Sequence, residues 1–228
     1  MSRSPALEFD SAMEHRKDQQ YPRPGGTREA LMLSALEEFA SRGIAGTSIA
    51  RLVKRSGAKN SSALHYHFGS KDGLVESLIV FIQAWFDHAR EPGLCRIEDA
   101  IEAGKPIDLR AVLAEIVTPY SELLEQEPWG LAAVRFIAMI EFDENLGAWK
   151  SLVETTSSSA QRLLKLLLAV TPHLEEGECT LRLTFFIDSI VYGFSAHQHL
   201  SVSFFGDQAS TPQALREFYI DCGERMLA

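Results

Sequence analysis

Residues 57–74 read GAKNSSALHYHFGSKDGL. A turn at Gly57 leads into a polar start, Lys59-Asn60-Ser61-Ser62, followed by Ala63 and Leu64 and the aromatic run Tyr66-His67-Phe68. Gly69 breaks the chain, and Ser70-Lys71-Asp72 opens a new helix. A short polar helix behind a tight turn is the form of the second helix of a helix-turn-helix, the one that enters the DNA major groove.

The flanking sequence fits that reading. Thr27 is placed to cap a helix running to Arg42, with Leu31, Ala35 and Phe39 on one face at four-residue spacing and Gly43 as its stop. Thr47 or Ser48 caps the next helix, which turns Ile49, Leu52 and Val53 inward and ends at Ser56-Gly57. The third helix covers about 61–67. The fourth starts at Ser70, carries Leu74, Leu78, Phe81, Ile82 and Trp85, and is expected to end near Pro92. Beyond it the pattern stays helical over 107–126, 129–143, 146–170, 176–203 and 212–227, with breaks at Gly104-Lys105-Pro106, Pro128, Asn145 to Gly147, Thr171-Pro172 and Gly206 to Pro212. There is no alternating strand pattern and no repeat. The reading is an all-α chain: a polar, mobile N-terminal arm (1–26), a three-helix DNA-binding unit (27–75) and a helical C-terminal body (76–228).

Charge is divided along the chain. The net charge is −9, yet between Arg23 and Lys71 eight positive residues (Arg23, Arg28, Arg42, Arg51, Lys54, Arg55, Lys59, Lys71) face three negative ones (Glu29, Glu37, Glu38). That segment is therefore +5 and the remainder −14. A basic module on an acidic body binds phosphate locally and is repelled elsewhere. No apolar run is long enough to span a bilayer, and the N-terminal residues lack the apolar core of a signal peptide, so a cytoplasmic protein is expected. Cys95, Cys179 and Cys222 are odd in number and far apart, which argues for reduced thiols and against a zinc site.

On these features residues 27–75 resemble the DNA-binding domain of the TetR (tetracycline repressor-like) family of bacterial transcriptional regulators. The resemblance rests on the Leu31/Ala35/Phe39 helix, Gly43, Thr47-Ser48, Ser56-Gly57, Tyr66-His67-Phe68 and Ser70-Lys71-Asp72-Gly73-Leu74. From Gly57 to Phe68 the spacing is one residue longer than is usual in the family, which enlarges the turn around Lys59-Asn60. The resemblance implies a homodimer on a palindromic operator in double-stranded DNA, most often as a repressor, with a C-terminal domain that binds a small molecule and dimerises through its last two long helices.

Residue chemistry supports parts of this independently. Lys59, Asn60, Ser61 and Ser62 stand where a recognition helix begins; Asn pairs with adenine, Lys reaches guanine and Ser is permissive. Ser61 and Ser62 equally suit capping, and His65 suits either a base-facing or a merely exposed place. Tyr66 and Lys71 resemble the family's phosphate contacts. Thr47 or Ser48 would offer a helix N-terminus to a phosphate. Ala63, Leu64 and Phe68 read as core. His65 and His67 are two apart and share no helix face, as are His197 and His199, so neither makes a metal pair.

In helix 176–203 the apolar residues Leu181, Leu183, Phe185, Phe186, Ile187, Ile190, Val191, Tyr192 and Phe194 circle the axis, as expected when one side faces the core and the other a partner subunit. Helix 212–227 carries a narrower stripe of Leu215, Phe218, Cys222 and Met226. Trp129, Phe136, Met139, Ile140, Trp149 and Phe186, with His197 as a polar anchor, are candidates to line a cavity for a hydrophobic effector, although residues at helical spacing are more often plain core. Glu141 and Asp143 read as solvated charges at a helix end. No cofactor is implied. An alternative is a helical small-molecule-binding protein or enzyme with no DNA role. Against it, the chain has no phosphate loop, dinucleotide fingerprint, H-E-x-x-H motif or nucleophile elbow.

Overall fold

The computed structural model describes residues 25–58, 61–142, 146–202 and 211–228. Among these every regular element is helical. The helices are α1 (Gly26–Arg42), α2 (Ile49–Ser56), α3 (Ser62–Phe68), α4 (Lys71–Glu102), α5 (Leu109–Gln126), α6 (Gly130–Phe142), α7 (Leu146–Val170), α8 (Glu176–Ala196) and α9 (Pro212–Leu227), with a 3-10 segment at His197–Val202 after α8. The all-α expectation holds. No described helix is long and apolar enough to cross a membrane.

Helices α1 to α3 form a small unit around Leu31, Ala35, Leu36, Phe39, Leu52, Leu64 and Phe68, all buried. Local signals set its corners. Gly43 closes α1, its N–H donating to the Phe39 carbonyl at 2.8 Å. Ser48 caps α2, its hydroxyl accepting from the Arg51 N–H at 3.3 Å. Gly57 follows α2 at φ 71°, a left-handed conformation that disfavours any side chain with a Cβ. Ser70 caps α4 by accepting from the Gly73 N–H at 3.0 Å. The expected cap at Thr27 is not formed: α1 starts two residues earlier, with Gly25 in the cap position.

Two expected boundaries move. α4 does not end near Pro92 but runs on to Glu102. An interior proline removes one hydrogen bond and crowds the preceding turn, so the helix needs support from outside. Arg162 of α7 supplies it, holding Glu91 at 2.6 Å and Glu98 at 2.8 Å on either side of the proline. Beyond it, Leu94 and Ile97 are buried. α8 in turn stops at Ala196, short of 203. There Arg135 of α6 donates from Nε to the Ser195 carbonyl at 3.1 Å, and the chain tightens into the 3-10 segment.

α5 is buried along most of its length and packs against α9, while α4 packs on α7 and α6 on α8. Gly223 of α9 permits the α5–α9 approach, since a Cβ there would meet Phe186 at 2.7 Å and Leu113 at 2.8 Å. Arg110 ties the same pair from outside, reaching Asp221 at 2.6 Å and Glu224 at 2.7 Å. The small unit joins the body in two places. One is α4 itself. The other is α1 on α6, where Phe39 and Phe136 stack at 6.0 Å.

Candidate DNA-binding face and regulatory cavity

The faces of α3 are sharply divided. Leu64 and Phe68 point into the core, whereas Tyr66 is 84% exposed. Ser61, Ser62 and His65 are exposed beside it. Ser61 occupies the cap position of α3 without making a side-chain cap bond, which leaves its hydroxyl uncommitted to the helix. His65 turns back on the end of α3, with Nδ1 2.9 Å from the Gly69 carbonyl. Lys71, at the start of α4, is half-buried with its ammonium 6.0 Å from the Phe39 ring centroid. Lys59, Asn60 and the arm residue Arg23 lie outside the described residues.

Thr47 is corrected by its burial. Only 1% of it is exposed, and its hydroxyl donates to the Gly43 carbonyl at 2.9 Å. It locks the α1–α2 turn, and its side chain cannot meet a phosphate. Ser48, capping α2, is the member of the pair that faces outward.

The basic segment is less free than its composition suggests. Glu38 of α1 is buried and gathers Arg42 at 3.3 Å, Arg51 at 2.5 Å and Arg55 at 3.0 Å, and Arg55 also pairs with Glu37. Burial pushes the Glu38 carboxyl up, but the hydrogen bonds from Arg51 and Arg55 and their charges outweigh it and hold the carboxyl below its ordinary value. Two of these arginines, Arg51 and Arg55, tie α1 to α2 and so orient α3 behind them. In the sequence these residues count only as charge. A hint lies in Arg51 and Arg55, one turn apart on a helix flanking a segment with a Glu37-Glu38 pair.

The second site is a cavity of about 260 Å³ in the helical body, lined from α4, α5, α6, α7 and α8. Its apolar wall includes Phe86, Ile137, Trp149, Leu163, Ile187 and Val191. Of the aromatic and apolar candidates read from sequence, Trp149 lines it. Trp129 instead packs on Phe81 at 4.8 Å, Phe136 on Phe39, and Met139 lies against Gly43. Ile140 and Phe186 are buried outside the lining, and His197 folds back to the Phe194 carbonyl, 2.9 Å from its Nδ1. The reason is helical phase. Bulk marks where α6 meets α1, while the cavity is lined by the offset pair Ile137 and Glu141.

Polar groups occur on both sides of the cavity. Arg90 of α4 is 7% exposed, and its Nε is buried without a hydrogen-bond partner. Its guanidinium lies 4.8 Å from the Phe86 ring centroid and 5.9 Å from that of Tyr120. Glu141 of α6 is not the solvated end charge expected. Burial, and then the charge of Asp188, push its carboxyl up to about 7. Burial raises Asp188 of α8 as well. Burial also raises the Tyr120 phenol, against the pull of Arg90, and both carboxyls add to the rise.

α8 and α9 present the third feature. Leu183, Phe186, Ile190, Val191 and Phe194 face inward, whereas Leu181, Phe185 and Tyr192 are exposed on one side of α8, and Phe218 is exposed on α9. The stripe expected on α9 is therefore split, with Leu215 in the core and Phe218 outside.

Comparison with known proteins places these features together. Residues 31–78 match the family model described as bacterial regulatory proteins, tetR family, and residues 114–221 match that described as tetracyclin repressor-like, C-terminal domain. Curated protein sequences yield no match. Among solved structures, the transcriptional regulator FadR from Bacillus subtilis in complex with stearoyl-CoA is similar at TM-score 0.62 and 14% identity, over 87% of this chain and 97% of that one. NalD of Pseudomonas aeruginosa, the secondary repressor of the MexAB-OprM multidrug efflux pump, is similar at TM-score 0.57 and 18% identity, over 89% and 96%. The TetR family regulator PfmR from Thermus thermophilus gives TM-score 0.56 and 16% identity, over 89% and 96%. At these identities the likeness is one of fold.

Proposed function

The chain belongs to the TetR family of DNA-binding transcriptional regulators, and we propose that it acts as a homodimeric repressor that leaves a palindromic operator when a small molecule occupies the cavity among α4 to α8. The observation that carries the DNA-binding part is the division of α3, with Leu64 and Phe68 in the core and Tyr66 projecting fully into solvent. Exposure of a large aromatic on a seven-residue helix has no packing purpose, and it suits a phosphate contact beside the groove.

In this reading Ser48, Tyr66 and Lys71 position the protein on the phosphates, and Lys59, Asn60, Ser61, Ser62 and His65 approach base edges. Thr47 serves the fold. The exposed apolar face of Leu181, Phe185, Tyr192 and Phe218 is the dimer surface, placing the two α3 helices about one DNA turn apart. The three-helix unit over 27–75 is the DNA-binding domain and 76–228 the regulatory domain, acting in the cytoplasm without enzymatic turnover.

The cavity gives the effector its scale. FadR of Bacillus subtilis is described with stearoyl-CoA. A cavity of about 260 Å³ lies just below the usual range of ligand sites, roughly 300 to 1,000 Å³, which favours a compact molecule over a long acyl thioester. Occupancy would act through α4, which carries Arg90 and Phe86, and through α6, which carries Ile137 and Glu141 on its cavity side and Phe136 and Met139 on the side facing α1. A ligand shifts DNA affinity only as far as it binds the two conformations differently.

The test is a gel shift with the DNA upstream of the protein's own gene at moderate salt, followed by the Lys71→Ala variant. That variant should weaken binding to all sequences and lower the salt slope by about one. A wild-type protein that prefers no sequence, or a Lys71→Ala protein with unchanged affinity and slope, would count against the reading.

A further inference from the structure

The cavity holds groups of opposite charge that do not meet. Arg90 stands on the α4 side, nine-tenths buried, with its Nε unpartnered. Glu141 and Asp188 stand on the α6 and α8 side. Among the described residues no ion pair joins Arg90 to either carboxyl, although all three influence the Tyr120 phenol, which Arg90 also hydrogen-bonds. An arginine and two carboxyls lining one half-open cavity would ordinarily close on one another, because a buried charge such as that of Arg90 is costly to leave without a counter-charge. Here they sit on different helices without pairing, and apolar side chains of Phe86, Ile137, Ile187 and Val191 line the same cavity.

Any molecule that enters displaces the water that solvates these groups. An uncharged apolar ligand would strip all three and return nothing. A simple cation would satisfy the carboxyls and leave the Arg90 Nε unpartnered, with only the Tyr120 phenol and the ring faces beside its guanidinium. A simple anion would satisfy Arg90 and bring a negative charge toward Glu141 and Asp188. We propose that the cavity is built for a compact amphoteric molecule: an apolar or aromatic frame with a carboxylate-like group directed at Arg90 and a protonated amine directed at Glu141 and Asp188. This deepens the proposed function and rests on its premise that this cavity receives the effector.

The experiment is calorimetric titration of the full-length protein, without DNA, by three compounds on one frame: 4-(aminomethyl)benzoate, which carries both charges, benzylamine, which carries only the cation, and 4-methylbenzoate, which carries only the anion. A hydrogen bond to a charged group is worth enough to change affinity by roughly tenfold to a hundredfold. The amphoteric compound should therefore bind at least about tenfold more tightly than either analogue. Arg90→Gln should abolish its advantage over benzylamine, and Glu141→Gln with Asp188→Asn should abolish its advantage over 4-methylbenzoate. Should a variant fail to fold, as judged by its melting curve, the wild-type ranking alone decides. Equal or tighter binding of a singly charged analogue overturns the proposal, as does no binding of 4-(aminomethyl)benzoate up to about 10 mM. Because DNA is absent, this outcome is independent of the regulatory reading. A ligand that binds with the stated ranking yet leaves operator affinity unchanged counts against regulation through this cavity and leaves the amphoteric preference standing.

Discussion

Glu141→Gln should stabilise this protein at alkaline pH and do almost nothing at acid pH. Burial and the neighbouring Asp188 raise the Glu141 carboxyl from its ordinary value of 4.5 to about 7. Folding therefore takes up a proton in the range between those values. Below pH 4.5 the group is neutral in both states and costs nothing. As pH rises through about 7 the folded state must ionise a carboxyl that the unfolded chain ionises more easily, and the cost becomes full. At about 1.36 kcal/mol per pH unit the limit is about 3 kcal/mol. The side chain is only half-buried, so solvent screening brings the expectation to about 1–2 kcal/mol at about pH 8. For a chain of this size that is a gain of roughly 2–8 °C in melting temperature for the Gln variant. At about pH 5 the gain should shrink to about a few tenths of a kcal/mol. Melting curves of both proteins at fixed concentration across about pH 5–8 give the comparison. A Gln variant no more stable than wild type at the alkaline end, or equally stabilised at both ends, would show that Glu141 is ordinarily solvated.

Other outcomes follow from the packing. Phe136→Ala removes a fully buried ring stacked on Phe39 and should cost about 3–5 kcal/mol; denaturant titration giving under about 1 kcal/mol would mean that the α1–α6 contact carries little of the junction. Phe185→Arg combined with Tyr192→Arg should convert a dimer to a monomer in sedimentation analysis while leaving the fold intact, since both side chains are exposed in the single chain; a variant that stays dimeric places the interface elsewhere. Arg162→Met removes the clamp between Glu91 and Glu98, so amide exchange over residues 93–102 should accelerate relative to the first half of α4. Unchanged protection there would mean that burial of Leu94 and Ile97 suffices to carry the helix through Pro92.

Local chemistry explains what is legible without a structure. The caps at Ser48 and Ser70, the glycine stops at Gly43 and Gly57, and the four-residue spacing of Leu31, Ala35 and Phe39 act within a turn or two of chain. The linear sequence therefore suffices for the helix-turn-helix, its order of elements and the all-α class. The core character of Leu64 and Phe68 follows from the same short helix. What depends on distant partners is not legible. Pro92 looks like a stop until Arg162, far along the chain, bridges it. Glu38 looks like one charge among many until three arginines converge on it. The cavity escapes sequence reading for a related reason. Large apolar residues suggest a lining, but bulk is what closes space between helices, and Phe136 and Met139 are spent on the small unit. A cavity persists where packing stops short, and its lining is settled by how five helices rotate against one another. Glu141, Arg90 and Asp188 come from three of them, so only the tertiary structure could bring them to one space and hold their charges apart.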